Sequence, residues 1–284
     1  MRHYDYYKPG TLEEAIQLKK AIPGSMFIAG GTDIMVQVRN REHQPPALIS
    51  LRSIPELNSI EMNGGARIRA LTAVSDIISH PVLGKEYPGL VQAARKLGSV
   101  QVRNVATIGG NLCNCSPCAD LALPLLVLEA RVRIRSAEAE REIPLTEFFR
   151  GPGQSCLASD EVLTEILLDP PPQKARTIFL KKGRVHIDLA IASVAILLVI
   201  EGEECLRARI AAGSVAPVPL RLYQVEELLE GESLTLRLVR KAQRLAAECV
   251  SPITDIRSTE EYRRQVVGVY VKRGLGRLLG WEEA

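Results

Sequence analysis

The sequence predicts an α+β protein built in two units, and three observations carry that reading. Residues before about 170 alternate short apolar strands, glycine-centred turns and helices. Asp169-Pro170-Pro171-Pro172 then interrupts the chain with three prolines, which stiffen it and end any strand ladder. Beyond that break, three strand-like runs are followed by three helix-like ones, the order of a small sheet with helices packed against it. At 284 residues the chain can bury two cores.

The elements read in order as follows. Thr11 to Glu14 has the spacing of a capping box and opens a helix through about Lys20, which Pro23-Gly24 ends. Ser25 to Ala29 reads as a buried strand running into Gly30-Gly31-Thr32-Asp33, with the apolar segment IMVQV behind it. Ala47 to Leu51 is a second strand, and Asn63-Gly64-Gly65 a hairpin-type turn between two more. A helix begins in Thr72 to Ser79 with Thr72 or Ser75 as its cap; another spans Pro88 to Leu97 and stops at Gly98. Ala119 to Ala130 is a helix kinked at, or starting at, Pro124. Ala130 to Arg135 alternates with period two, as a half-buried strand does, which places its arginines on a solvent face. Val162 to Leu168 is a further strand. After the prolines, Thr177 to Lys182, Leu189 to Ile200 and Cys205 to Ala212 read as strands, and Leu220 to Leu229, Leu234 to Cys249 and Ser258 to Leu279 as helices.

Composition excludes several classes of function. The net charge of +3 is too near balance for a nucleic-acid binder, and aromatics at 4% leave few stacking platforms. The longest apolar run, Leu189 to Ile200, is shorter than the roughly 20 residues a spanning helix needs, so no membrane segment is expected. MRHYDYYKPG lacks the apolar core of a signal peptide. Six cysteines in a chain of this size are no disulfide framework, which points to free thiols in a reducing cytoplasm.

Three stretches carry candidate chemistry. Ala29, Gly30, Gly31, Thr32 and Asp33 follow a strand, and paired glycines there let a backbone approach a phosphate or simply form a tight turn. Thr107-Ile108-Gly109-Gly110-Asn111 repeats the logic, and two such loops facing each other would grip a diphosphate from both sides. Neither fits a dinucleotide or P-loop fingerprint. Cys113, Cys115 and Cys118 form a C-x-C-x-x-C cluster, to be read as buried thiols or as a metal or iron–sulfur module. His186 is a lone candidate base with no partner in the spacing.

AGGTD at 29–33, QVRNVATIGGNLCN at 101–114 and SPCAD at 116–120 resemble the FAD-binding (medium) subunit of molybdenum hydroxylases, the family of carbon monoxide dehydrogenase and xanthine dehydrogenase. GSVAPVPLR at 213–221 and SPITDIRSTEEYRRQVV at 251–267 resemble that family's flavoprotein C-terminal domain, so the likeness covers essentially the whole chain. The resemblance implies a PCMH-type FAD-binding domain over 1–170, made of two α+β subdomains of about 1–58 and 59–170. A small α+β C-terminal domain over 174–284, a three-stranded sheet plus helices, would follow it.

The resemblance also assigns roles. The diphosphate of FAD would lie between Ala29–Asp33 and Thr107–Asn111. Asp120 would hold the adenosine ribose, Leu163 would pack near the flavin or adenine, and Lys181 would stand near the isoalloxazine. The implied activity is an oxidoreductase subunit without its own substrate site. A large molybdopterin subunit would oxidise the substrate, a small subunit would carry two [2Fe–2S] clusters, and electrons would leave through this FAD to NAD⁺ or another acceptor. Cys115 and Cys118 stand where the family more often has a small residue, and Leu189 stands where some relatives place an aromatic near the flavin.

Overall fold

The computed structural model describes residues 4–185 and 187–281. The first group of elements is β1 (Asp5–Tyr7), α1 (Leu12–Ala21), β2 (Met26–Ile28), α2 (Ile34–Arg39) and β3 (Ala47–Ser50), with the strands parallel in the order β1-β3-β2. Thr11 caps α1 by accepting from Glu14 N at 3.2 Å, while the Glu14 carboxylate reaches one residue further out, to Gly10 N at 2.8 Å. Leu12, Ala15 and Ile16 are the buried face of α1, packed with Ile49 and Leu51 of the β3 region. The IMVQV segment is α2, entered from Gly31 in the left-handed region at φ 78°.

The second group contains β4 (Ile60–Glu61), β5 (Ala66–Arg69), α3 (Val74–Ser79), α4 (Pro81–Glu86), α5 (Pro88–Lys96), α6 (Val100–Arg103), α7 (Ile108–Cys113), α8 (Ala122–Val127), β6 (Arg131–Arg135), β7 (Glu140–Pro144), β8 (Phe149–Gly151), β9 (Gln154–Ser155) and β10 (Val162–Leu168). Five of its strands form an antiparallel sheet in the order β4-β5-β10-β6-β7. The chain's latest strand in this group is thus the central one, and it is buried along its whole length. Glu165 on β10 is ringed by Arg67, Arg69 and Arg133. The arginines of β6 therefore do more than face water. Arg131 pairs with Glu142 at 2.6 Å and Asp169 at 2.8 Å, and Arg133 reaches Glu165 at 3.2 Å.

Two local expectations change here. The residue before α3 is Ala73, and no side chain caps that helix. Thr72 instead turns inward and donates to Ser59 O at 3.1 Å, because its backbone is committed to the segment holding Ile108. Pro124 sits in the first turn of α8, where a missing N–H costs nothing, so this short helix begins near the proline instead of kinking there.

The third group is β11 (Arg176–Lys182), β12 (Ala192–Glu201), β13 (Glu204–Gly213), β14 (Leu220–Arg221), α9 (Tyr223–Leu229), α10 (Leu236–Glu248) and α11 (Glu260–Leu279). The three expected strands are antiparallel, and the two-residue β14 extends them as a fourth. Leu220 and Arg221 thus belong to the sheet and not to the helix expected there. Arg221 is buried and holds Glu226 through two bonds, at 2.7 and 2.6 Å, which delays the helix to Tyr223.

β12 is apolar without alternation because both of its faces are covered. Ala195, Leu197 and Val199 join the core of the second group, whereas Val194, Ile196 and Leu198 pack with α9, α10 and α11. Gly89 N donates to Thr177 Oγ1 and Phe179 N to Gln92 Oε1, so α5 and β11 are also stitched together. Among the described residues no helix is long and apolar enough to cross a membrane.

Candidate functional site

A cleft of about 490 Å³ opens where the three groups meet, and its walls include Ala29, Gly30, Gly31, Thr32, Asp33, Thr107, Gly109, Gly110, Asn111, Asp120, Leu163 and Lys181. Residues from Met26 to Leu189 are brought to one surface because β2, β10, β11 and α7 all end or begin there. The two glycine stretches use their backbones differently.

In the first stretch, the N–H groups of Gly30, Gly31, Thr32 and Asp33 donate to no acceptor among the described residues. Successive unpartnered amides around a left-handed Gly31 are the kind of backbone that can bind an anion. In the second stretch, the amides are already used inside the protein. Ile108 N donates to Thr72 O, Gly109 N to Ala70 O, Gly110 N to Thr107 Oγ1 at 3.0 Å and Asn111 N to Thr107 O. Thr107–Asn111 is therefore the capped first turn of α7 and not a free loop.

The glycines allow close approach to other segments. A Cβ on Gly30 would collide with the Val105 carbonyl, and one on Gly109 would lie 2.6 Å from Ala70 Cβ. Both glycines let backbone meet backbone within the protein. Gly110 is different: an added methyl would press on Thr107 Oγ1 at 2.9 Å, the atom that caps α7. Asn111 carries the free polar atom of this turn, a buried Oδ1 with no partner.

Lys181 Nζ donates to Asp120 Oδ2 at 2.6 Å and to Lys96 O at 3.0 Å, and both side chains of the pair are 5% exposed. Asp120 Oδ1 has no partner. Burial pushes the Asp120 carboxyl up to about 6, with the Lys181 and Lys96 ammonium groups pulling the other way. The pair bears on the separate roles expected for these residues. The adenosine ribose and the isoalloxazine lie at opposite ends of FAD, whereas Asp120 and Lys181 form one station. Leu163 is nearly fully buried in the cleft wall, beside a break in the β10–β6 register.

Other wall residues carry no motif in the sequence. Gln37 Nε2 donates to Asn114 Oδ1 at 3.1 Å, joining α2 to the end of α7. Ile187, Asp188 and Leu189 form part of the rim from the β11–β12 connection. Apolar periodicity hides Gln37 inside IMVQV, and the rim residues become neighbours only through the sheet.

The cysteines differ in their surroundings. Cys113 opens onto the cleft, Cys115 is buried with φ 47° and its Sγ donates to Leu112 O, and the Cys118 Sγ donates to Ala190 O at 3.7 Å. Burial raises the Cys115 thiol to about 12. Among the described residues no three His, Cys, Asp or Glu side chains are arranged to hold a metal ion, at Cys113, Cys115 and Cys118 or elsewhere. His186 lies outside the described residues.

Residues 2–171 match the family described as the FAD binding domain in molybdopterin dehydrogenase. This chain belongs to that family. Residues 178–278 match the CO dehydrogenase flavoprotein C-terminal domain. The flavoprotein subunit is 30% identical over 283 residues to the nicotinate dehydrogenase FAD-subunit of Eubacterium barkeri, covering 96% of this chain and 95% of that one. It is 30% identical to the carbon monoxide dehydrogenase medium chain of Hydrogenophaga pseudoflava, with 96% of each covered. A carbon monoxide dehydrogenase structure from the same organism, lacking the Mo-pyranopterin moiety, superimposes with a TM-score of 0.96 at 30% identity and 98% coverage of both chains. Quinoline 2-oxidoreductase from Pseudomonas putida 86 gives a TM-score of 0.92 at 26% identity, again covering 98% of both.

The cofactor of the flavoprotein subunit is FAD, and the cleft suits it. Four free amides around Gly31 match an anionic diphosphate, and Asn111 and Asp120, each with one buried oxygen left unpartnered, line the same cleft. Leu163 and the neighbouring Leu97 supply apolar wall.

Proposed function

We propose that this subunit carries electrons within a molybdenum hydroxylase complex, taking them from the [2Fe–2S] clusters of a small partner subunit and passing them to NAD⁺ or another acceptor. A large molybdopterin subunit would oxidise the substrate, in the cytoplasm. The single observation that carries the reading is the run of free amides from Gly30 to Asp33 lining one cleft together with Asn111 and Asp120. Bound FAD supplies a carrier that can accept electrons singly and release them in pairs.

The protein's own residues would do four things. The Gly30–Asp33 amides bind the diphosphate, and Asn111 orients a hydroxyl group of the cofactor. The Asp120–Lys181 pair sets charge at its own station, where Lys181 holds a fixed cation. Leu163 and Leu97 keep water from the wall they cover. The proposed division of labour follows the chain: 1–170, with subdomains of about 1–58 and 59–170, forms the cofactor domain, and 174–284 the C-terminal domain that lends it Lys181.

The test starts with FAD titrated into the full chain, followed by quenching of flavin fluorescence, where saturation at one per chain is expected. Anaerobic addition of substrate to the assembled complex should then bleach the flavin. Binding without bleaching would sink the electron-transfer role while leaving the cofactor site intact.

A further inference from the structure

The tail segment containing Asp255 and Arg263 has no part in the cleft wall, yet it reaches both arms of the station that Asp120 and Lys181 form. Arg263 is buried on α11, and its guanidinium is shared among three separate segments. It donates to Ile191 O at 2.7 Å, to Ser214 O at 3.0 Å and to Asp255 Oδ1 at 2.7 Å.

Each backbone acceptor leads to one arm. Ile191 N donates to Lys182 O at 2.7 Å, which closes the base of the β11–β12 connection immediately beside Lys181. That connection also carries the rim residues Ile187 to Leu189. Ser214 N donates to Pro117 O at 2.7 Å, three residues before Asp120. Asp255 secures the fork from outside, because its Oδ1 also accepts from Arg257 N at 2.8 Å and Ser258 N at 3.2 Å. Arg263 Nε is left without a partner. A buried cation with one unsatisfied donor is a poor device for stability, since an apolar residue of similar volume is often equally stable there. What a planar fork provides is fixed geometry among the acceptors it joins.

We infer that Arg263, anchored by Asp255, is a positioning residue that holds the Asp120 and Lys181 arms and the Ile187–Leu189 rim in the geometry that grips FAD. The inference rests on the cofactor reading above. Arg263 touches neither the Asp120 side chain nor the Lys181 side chain, so it acts through the backbone.

The experiment uses the full chain, with FAD itself as the probe. Wild type is titrated first; no FAD uptake there would sink the cofactor reading and this inference with it, whereas a wild type that binds lets the variants test this inference alone. The variants are Arg263→Met, Arg263→Lys and Asp255→Ala, each followed by thermal melting without FAD, by FAD affinity and by visible circular dichroism of the bound flavin. Loss of one or two positioning hydrogen bonds should weaken FAD binding by about tenfold in Arg263→Met and change the visible dichroic band. Arg263→Lys should restore part of both, and Asp255→Ala should weaken binding by about threefold on the same scale. If Arg263→Met does not fold, Asp255→Ala and Arg263→Lys decide the matter. Wild-type FAD affinity and an unchanged band in the folded variants would overturn the inference. So would an affinity loss that simply tracks the fall in melting temperature.

Discussion

Lys181 and Asp120, 61 positions apart, meet at 2.6 Å with both side chains out of water, and one buried carboxylate oxygen of Asp120 is left unpaired. A buried ion pair adds little net stability, but removing one partner strands the other. Lys181→Met should therefore destabilise the FAD-free protein by about 3 kcal/mol at pH 8 in urea unfolding. The Lys181→Met, Asp120→Asn double variant should recover most of that loss. A single variant as stable as wild type at pH 8 would contradict the pairing.

The raised Asp120 carboxyl gives a pH dependence with a definite sign. Between about pH 4 and pH 6 the native protein holds a proton that the unfolded chain has lost. The stability from this group is thus complete below the ordinary carboxylate range and is lost as pH rises through about 6. A shift of this size corresponds to at most about 3 kcal/mol. Carboxylates held low by arginines, such as Glu161 beside Arg141 and Asp169 beside Arg131, act in the opposite direction, and their contribution is lost as pH falls below the ordinary carboxylate range. Comparing FAD-free wild type with Asp120→Asn from pH 4 to 7 isolates the effect, and the variant should show a flatter profile.

The glycines should separate by the kind of damage their replacement does. Gly30→Ala drives a methyl into the Val105 carbonyl and should cost about 3 kcal/mol of folding stability together with FAD binding. Gly31→Ala meets only side chains at 3.3 Å and beyond, but it holds φ at 78°, so it should cost about 1–2 kcal/mol. Gly110→Val presses on the Thr107 cap and narrows the cleft, and it should lose FAD binding by more than its melting temperature predicts. Equal losses of stability in all three would show that the backbone contacts differ from those described.

Cys113 opens onto the cleft while Cys115 is sealed beneath α7. Desolvation raises the Cys113 thiol too, so prolonged alkylation at pH 9 followed by peptide mass analysis should modify Cys113 slowly in the FAD-free chain, and saturating FAD should protect it. Cys115 should stay unmodified until the protein unfolds. Labelling of Cys113 at the same rate with and without FAD would move the cofactor away from the end of α7.

Local chemistry made much of this protein legible from its sequence. The Thr11–Glu14 capping spacing, the Gly98 stop and the alternation of ARVRIR are read over a few residues, and those elements stand where the spacing puts them. The two glycine stretches and their order are also local, and so is the likeness that pointed to FAD. The tertiary structure decided what those glycines do. Gly30 and Gly109 are required by Val105 and Ala70, and the amides after Thr107 are consumed in a helical turn, none of which is encoded in the stretches themselves. It also converted Asp120 and Lys181 from two expected stations into one, sealed Cys115 while leaving Cys113 open, and brought Arg263 to backbone that leads to each member of that pair. The physical reason is common to all of these. Capping, turns and alternation are set by neighbours in the chain, whereas burial, ion pairing and the fate of a backbone amide depend on which distant segment the sheets place opposite.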